Sequence, residues 1–450
     1  MLIKLILKLI SVKYKTIKIS VILFLILTVY LPILRNDFLF YWDDQWMVFN
    51  RYTEGGINFS NLWAILTEFY HGQFSPVNEY MYLFIYSIFG YNPFVFHLAS
   101  LLLHAGNVCL VYLITIRIFD MRTANDLLRH GNDTQKHAIA FVTALLFAVH
   151  PMNVETVAWI SASKIVVYAF FYLLATYAFL TYLVKGKTTF YYLTLLLFAL
   201  SFGGKEQAVI FPVWLLMLYW LLGRSFKERK VWIEVTPFFI LALSFGFVTL
   251  LSQSASGSGI LSHSLQYPLW QRVVLGCYSL VEYIVKFFVP YNLLYIYPFP
   301  MLIGESLPGW MLVYPALLLI VIVSLWQYLK KTPLAIGLLF FLIHIAIVLH
   351  IIPLSRFAVI ADRYIYLSGI GLSFIIAYYF VVFATGKRGF IKKMIIACFS
   401  LIVLTLGVYS NLRCRDWKDT DSIKRELREL LKQRDDYVPE NDDFLKDFNR

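Results

Sequence analysis

Two adjacent carboxylates follow the first long apolar run, in the stretch YWDDQWMVFN (41–50). Two neighbouring carboxyl groups repel each other when ionised, and aromatic surroundings add a desolvation cost. Both effects move a carboxyl pKa toward neutral pH and suit one of the pair to act as a general base. The sequence leaves open whether Asp43 or Asp44 is that base. It also leaves open a structural role, in which the pair caps a helix beginning at Gln45.

Three further stretches place ionisable side chains where apolar runs end. They are HPMNVETVAWISASK with His150, Glu155 and Lys164, GGKEQ with Lys205 and Glu206, and ADRYIYL with Asp362, Arg363 and Tyr364. Lysine and arginine bind phosphate, and arginine does so in a fork geometry. Each stretch also has a structural interpretation: a polar turn, an ion pair at a helix end, and an arginine that snorkels to the membrane interface.

The composition is that of a membrane protein. Of the 450 residues, 60% are hydrophobic and only 15% are charged, whereas soluble domains carry about 25% charged residues. The apolar residues form runs of roughly twenty, the length that crosses a bilayer. We read the first run as a retained helix because no small-residue cleavage site follows it. The net charge of +12 reflects basic loops rather than nucleic-acid binding.

The apolar runs predict an all-α polytopic membrane protein with about eleven transmembrane helices. The predicted spans are 17–35, 94–117, 138–150, 164–184, 189–203, 207–223, 232–252, 309–329, 333–353, 366–385 and 391–410. A further segment, 268–290, is predicted to be interfacial or re-entrant. We expect a transmembrane domain over 1–410 with a folded outer loop at 36–93 and a second outer loop at 253–308. Residues 411–450 form a polar C-terminal tail on the outer face.

Orientation follows from the basic residues in short loops. The N-terminal residues up to Lys18 include five lysines and no acid, which predicts a cytoplasmic N-terminus. Counting spans from there places all the ionisable motifs on the outer side of the membrane. A transporter would instead place such residues near mid-membrane. The shared face therefore predicts an active site at the outer interface.

The ordered motifs also resemble a known family. WDDQ, FSPVNEYMY, FGYNPFVFHLASLLLHAGN, HPMNVETVAWISASK, GGKEQ, ADRYIYL and RCRDWKD resemble the transmembrane O-mannosyltransferases with tetratricopeptide repeats and their bacterial relatives, which have the GT-C fold. The sequence departs from many relatives at Ser163-Lys164-Ile165, where they have Arg-Lys-Asp, and at Ser75-Pro76, where they have Arg-Pro. The repeats themselves are not found in this sequence.

This resemblance implies transfer of a sugar, with a mannose-like hexose favoured, from a polyprenyl-phosphate donor to a hydroxyl acceptor such as a protein Ser or Thr. Asp43 or Asp44 would be the base of an inverting reaction. Arg363, Lys205 and Lys164 would bind the donor phosphate, with His150, Glu155, Glu206, Asp362 and Tyr364 in support. No cofactor is required. Mg²⁺ or Mn²⁺ is the alternative, with Asp43 and Asp44 as the oxygen ligands that hard cations prefer.

Two other functions remain alternatives. A polymerase or ligase of surface polysaccharide would use polyprenyl-diphosphate donors, but a late loop rich in Arg and His is expected for it, and 253–308 is poor in both. A non-enzymatic transporter of lipid-linked sugars should show internal repeats, and we find none that is convincing. For the transferase we expect a bacterial inner membrane, with the active site in the periplasm.

Overall fold

A computed structural model describes residues 15–40, 42–121, 133–255, 267–294, 296–329, 333–352 and 358–425. Of the N-terminal lysines used for orientation, Lys4, Lys8 and Lys13 lie outside these ranges, as do residues 426–450 of the polar C-terminal tail. The described residues are helical, with turns and loops between the helices and no β-strand among them. The all-α prediction is confirmed for this part of the chain.

The first helices are α1 (Lys15–Tyr30), α2 (Asp44–Met47), α3 (Arg51–Glu54), α4 (Phe59–Thr67), α5 (Pro76–Phe89), α6 (Pro93–Phe119), α7 (Asp133–Val149), α8 (Val154–Ala158), α9 (Ser163–Lys185) and α10 (Thr188–Phe202). They are followed by α11 (Phe211–Leu221), α12 (Arg229–Ala255), α13 (Leu269–Phe288), α14 (Val313–Leu329), α15 (Pro333–Ile345), α16 (Gly369–Thr385) and α17 (Gly389–Arg413). Short 3₁₀ turns extend or join them at Leu31–Arg35, Pro151–Asn153, Ile160–Ala162, Glu206–Ile210, Gly309–Leu312, Ala346–Val348 and Asp362–Ile365.

Six helical segments of the described chain are long and apolar enough to cross a membrane. They are Ile17–Arg35, Pro93–Phe119, Ile160–Lys185, Arg229–Ala255, Gly309–Tyr328 and Gly389–Arg413. A seventh span results if Asp133–Val149 and Pro151–Ala158, bent by 55° at His150, count as one. The chain is thus a multi-pass membrane protein by the length and composition of its helices.

The predicted number of eleven crossings is not confirmed. The remaining four predicted spans coincide with shorter apolar helices, Thr188–Phe202, Glu206–Leu221, Pro333–Val348 and Gly369–Thr385. At 1.5 Å per residue such helices are shorter than the roughly 30 Å hydrocarbon core. The GGKEQ motif separates Thr188–Phe202 from Glu206–Leu221, and the ADRYIYL motif lies just before Gly369–Thr385. The segment predicted at 268–290 is the helix α13. It is not among the helices that are long and apolar enough to cross a membrane.

Helices α6, α7, α9, α10 and α16 form the packed centre of the bundle. Helix α9 packs against α6 and α10, and α7 packs against α6 and α16. The spans at Gly309–Tyr328 and Gly389–Arg413 expose nearly all of their apolar residues, which suits a lipid-facing position. The site described below lies where the central helices end.

The loop predicted at 36–93 is folded and contains α2 to α5. Asn50 caps α3 by accepting hydrogen bonds from the backbone N–H groups of Tyr52 and Thr53, both at 2.9 Å. Asn58 caps α4 in the same way through Asn61 N–H, also at 2.9 Å. These caps satisfy amides that a short helix leaves without partners. They give the loop a fixed shape beside the acidic motif.

The GGKEQ loop depends on a close backbone approach. A Cβ added to Gly204 would lie 2.7 Å from the backbone nitrogen of Tyr168 on α9. We therefore expect Gly204→Ala to lower the apparent melting temperature, by an amount equivalent to roughly 1–3 kcal/mol of overpacking. Gly309→Ala is the control, since its Cβ would meet no atom within 4 Å. Equal melting temperatures for the two variants in a detergent melt would contradict this packing.

Candidate active site

Asp44 is the first residue of α2 and is fully buried. Its Oδ2 accepts a hydrogen bond from the backbone N–H of Leu39 at 2.8 Å, and its Oδ1 accepts one from the backbone N–H of Ser161 at 3.0 Å. The hydroxyl of Ser161 donates to the same Oδ1. Asp44 thereby joins the acidic loop to the turn that follows the bent span.

Burial raises the pKa of Asp44 to about 6, while the hydrogen bonds from Leu39 and Ser161 oppose this rise. A general base must come within hydrogen-bond reach of the proton that it removes. Both oxygens of Asp44 are already occupied and its side chain has no exposed surface. The geometry makes Asp44 a residue that positions the loop.

Asp43 has the opposite environment. It is only partly buried, and its carboxylate accepts no hydrogen bond from the described residues. The capping interpretation is wrong for its side chain, because Asp43 precedes α2 without bonding any amide of that helix. Its carboxylate interacts electrostatically with the ammonium group of Lys164. Of the two predicted aspartates, Asp43 is the one open to a substrate.

Lys164 lies in the first turn of α9 and connects several of the predicted site residues. Its Nζ donates a hydrogen bond to Gln73 Oε1 at 2.6 Å. Its charge interacts with those of Asp43, Lys205, Glu206 and Arg363. Four predicted residues from three other motifs therefore lie near enough to Lys164 for their charges to interact with it. Gln73, which accepts the hydrogen bond from Lys164, was not predicted from the sequence, because it belongs to none of the charged motifs.

Lys205 and Glu206 form a loose pair at the start of the turn that leads into α11. The Nζ of Lys205 lies 3.8 Å from Glu206 Oε1, and Lys205 is only 8% exposed. The loop is held on its other side by Val77, whose backbone N–H donates to Gly203 O at 2.9 Å. A contact of this length is too long for a hydrogen bond and leaves the ammonium hydrogens available. Lys205 can therefore pair with Glu206 and still bind an anion.

Glu155 and Arg363 form a two-point contact. The backbone N–H of Arg363 donates to Glu155 Oε2 at 2.9 Å, and its Nη1 donates to Oε1. Glu155 is fully buried, whereas 24% of the Arg363 side chain is exposed. The guanidinium carbon lies 5.4 Å from the centre of the Trp159 ring and 4.9 Å from that of Tyr364. Arg363 is therefore fixed in place by these contacts and does not snorkel. Part of its side chain is still exposed.

The neighbouring Asp362 is also fully buried and paired. Its Oδ2 accepts from Arg413 Nη2 at 2.9 Å, and its Oδ1 accepts from the Tyr297 hydroxyl at 2.8 Å. Burial raises the pKa of Asp362, and the charge of Arg413 opposes that rise. Asp362 supports the loop and has no surface with which to contact a substrate.

His150 has a structural role in the bend between α7 and α8. Its Nδ1 accepts from Met152 N–H at 3.3 Å, so the hydrogen lies on Nε2, which donates to Phe287 O at 2.9 Å. The ring also stacks on Phe287, with 4.2 Å between the centroids. His150 thus attaches the bent span to the end of α13. The polar-turn interpretation accounts for it.

Metal binding at the aspartates stays a prediction. Within the described ranges, no three His, Cys, Asp or Glu side chains come close enough to hold a metal ion. Both oxygens of Asp44 already accept hydrogen bonds, which leaves Asp43 as the available oxygen ligand. Lys164, whose charge interacts with that of Asp43, and the cations Lys205 and Arg363 near Lys164 supply positive charge that a metal would otherwise bring.

Glu79 is a buried carboxylate that the sequence did not single out, although it lies in the FSPVNEYMY motif. It is 8% exposed, and its Oε2 accepts a hydrogen bond from Asn50 Nδ2 at 3.1 Å. Burial raises its pKa to about 7, against the opposing effects of Asn50 and of the nearby charge of Lys164. Glu79 lines a cleft in the loop at 36–93 together with Met47, Tyr52, Ile65, Glu68, Tyr70, Gln73, Phe74, Ser75 and Pro76.

Comparison with known proteins gives a distant relationship. The chain is similar to the human Protein O-mannosyl-transferase TMTC1, with 30% identity over 149 residues, which are 31% of this chain and 15% of the relative. For the mouse protein of the same name, the identity is 33% over 153 residues, or 32% of this chain and 14% of the relative. The chain thus spans only a small part of the curated relatives it matches. No family model and no solved structure matches it.

Glu79→Gln tests the buried carboxylate. Folding raises the pKa of Glu79 from 4.5 to about 7, so its contribution to stability is fully present below pH 4.5 and is lost as the pH rises through 7. Glutamine removes that loss and can still accept from Asn50. We expect the variant to melt above wild type at pH 8, by the equivalent of about 2–3 kcal/mol, and the difference to shrink at pH 5.

Glu68→Gln is the matched control, because Glu68 is exposed and paired with Arg51 at 2.7 Å. It should not melt above wild type at pH 8. A Glu79→Gln protein that melts below wild type at pH 8 would show that a cation, rather than burial, dominates at this carboxylate.

Proposed function

We propose that this protein is a membrane glycosyltransferase that moves a mannose-like hexose from a polyprenyl-phosphate donor to a hydroxyl acceptor. The observation that carries the proposal is that Lys164 lies near a partly exposed carboxylate, Asp43, and near two further cations, Lys205 and Arg363, so that their charges act on it. Transfer from a sugar phosphate requires this combination of a base for the acceptor and positive charge for the departing phosphate. The distant similarity to named O-mannosyltransferases supports the same reaction class.

In the proposed reaction, Asp43 removes the proton of the acceptor hydroxyl. The acceptor oxygen attacks the anomeric carbon and forms the new glycosidic bond. The bond from that carbon to the phosphate oxygen breaks, and its electron pair leaves with the polyprenyl phosphate. Attack opposite to the leaving group inverts the anomeric configuration. Asp44 fixes the loop that carries the base through Leu39 and Ser161.

The leaving phosphate is stabilised by charge. Arg363 uses one guanidinium nitrogen and its backbone N–H on Glu155, and its side chain is also hydrogen-bonded to Tyr364. Its other donors can bind phosphate oxygens. Lys205 and Lys164 supply point charges, with Glu206 and Gln73 as their partners in the free protein. Because fixed cations act without reorganising, they stabilise the charge that develops in the transition state. No metal is required by this arrangement, and Mg²⁺ or Mn²⁺ at Asp43 remains the alternative.

The prenyl chain of the donor would lie against the end of α13 and the loop after it. Val285, Phe288 and Val289 are about half exposed there, next to Phe287, which His150 holds. These residues offer an apolar surface at the end of α13, a helix that packs against the lipid-facing α14. The lipid phosphate would then reach the site from within the membrane rather than from water.

The acceptor and the location are part of the proposal. The named relatives are protein O-mannosyl-transferases, which favours a protein Ser or Thr hydroxyl as acceptor. The charge pattern of the loops favours the non-cytoplasmic face for the site, which is the periplasm if the protein lies in a bacterial inner membrane.

Asn substitutions at the two aspartates separate their roles. Asp43→Asn should reduce sugar transfer by about 10²–10⁴-fold, the usual contribution of a general base, with an unchanged melting temperature. Asp44→Asn should also melt lower, by the equivalent of roughly 1–3 kcal/mol, because its amide places a donor against the N–H of Leu39 or Ser161. Transfer and melting are measured on purified protein in liposomes. Transfer by Asp43→Asn within two-fold of wild type would exclude Asp43 as the base.

Lys205→Met tests the phosphate site. Loss of one cation should lower kcat/KM for the donor by about 10²-fold and weaken inhibition by free polyprenyl phosphate. Lys187→Met is the control, because Lys187 is exposed and precedes α10 at the end opposite to Lys205. Equal effects of the two substitutions would mean that Lys205 acts only through the general charge of the protein.

A further inference from the structure

The residues after the last apolar helix contact the acidic loop. Asn36 Nδ2 donates to the backbone carbonyls of Cys414 at 2.9 Å and of Trp417 at 3.0 Å. The backbone N–H of Asp37 donates to Lys418 O at 2.8 Å. The hydroxyl of Thr420 donates to Phe40 O at 2.6 Å. Four hydrogen bonds thus hold the chain that leads into Asp43.

The same residues contact the ADRYIYL motif. Arg413, at the end of α17, pairs with Asp362 at 2.9 Å and also donates to the carbonyl of Leu293. This arginine is 4% exposed and Asp362 is fully buried. Removing one partner of such a pair leaves an unpaired buried charge, which costs several kcal/mol. The pair therefore fixes the position of the backbone next to Arg363.

Trp417 connects the segment to the ADRYIYL motif a second time, through an aromatic stack. It is 2% exposed and stacks on Trp159, with 5.4 Å between the ring centroids and 19° between the planes. Trp159 in turn lies under the guanidinium group of Arg363. Trp417 contacts Trp159, and Trp159 contacts Arg363. Two successive contacts therefore connect the C-terminal segment to a cation of the site.

We propose that residues 413–420 form a strap that sets the spacing between the base Asp43 and the phosphate-binding Arg363. Trp417 and Arg413 are then positioning residues of the reaction, although neither contacts a substrate. This inference rests on the proposed function for its kinetic consequence. The strap is bonded to both site loops, which come from opposite ends of the chain. Because a misplacement of about 1 Å at a reacting centre can cost 10²-fold in rate, a loosened strap lowers kcat.

The test compares two buried tryptophans. Trp417→Ala removes the stack on Trp159, whereas Trp214→Ala removes a similar ring from α11, where Trp214 is 1% exposed and packs on Phe340 at 4.8 Å. We expect Trp417→Ala to lower kcat at least ten-fold, and Trp417→Phe to recover most of it, since a phenyl ring still stacks on Trp159. Trp214→Ala should melt as low but keep kcat within about three-fold of wild type.

Hydrogen exchange gives a readout that does not depend on activity. Trp417→Ala should speed amide exchange at least ten-fold in residues 36–40 and 361–366, and Trp214→Ala should not. Unchanged exchange in both segments, or equal kcat losses for the two alanine variants, would overturn the strap. If wild type transfers no sugar from any polyprenyl-phosphate donor, the proposed function fails, and exchange alone decides whether the strap exists.

Discussion

Charged side chains buried at the ends of apolar helices must be paired, and the whole site depends on this constraint. Glu155 and Asp362 are both fully buried, and each is neutralised by an arginine from a distant part of the chain, Arg363 and Arg413. An unpaired charge at either position would cost several kcal/mol, so the pairs allow few alternative arrangements of these segments. The ADRYIYL loop is thereby fixed from two sides, with one arginine left partly open.

The acidic motif also buries a carboxylate, but hydrogen bonds rather than a cation compensate its charge. Asp44 is enclosed by two backbone amides and a hydroxyl, and this environment holds Asp43 at an accessible position beside Lys164. Two adjacent aspartates thus divide two tasks, since one fixes the loop and the other is available for chemistry. Desolvation still opposes the charge on Asp44 and raises its pKa to about 6.

The sequence predicted the helical segments well because their apolar length and their polar breaks suffice to locate them. The cap of α4 by Asn58 is a contact between neighbours in the chain, which is the kind of contact that a sequence pattern can locate. The sequence could not predict the division between Asp43 and Asp44, because Ser161 reaches Asp44 from 117 residues away. For the same reason Arg413 and Trp417 appeared as part of a polar tail, whereas they are buried against the site. The count of eleven crossings stays a prediction, since four of the helices are short.

The most direct measurement of the central claim is sugar transfer by purified wild-type protein in liposomes. Labelled polyprenyl-phosphate mannose and glucose would be offered beside a polyprenyl-diphosphate sugar, with Ser- and Thr-containing peptides and cell-envelope extract as acceptors. The account predicts transfer from a monophosphate donor, with inversion at the anomeric carbon and release of polyprenyl phosphate. Turnover of the diphosphate donor alone would contradict it and favour a polysaccharide polymerase or ligase.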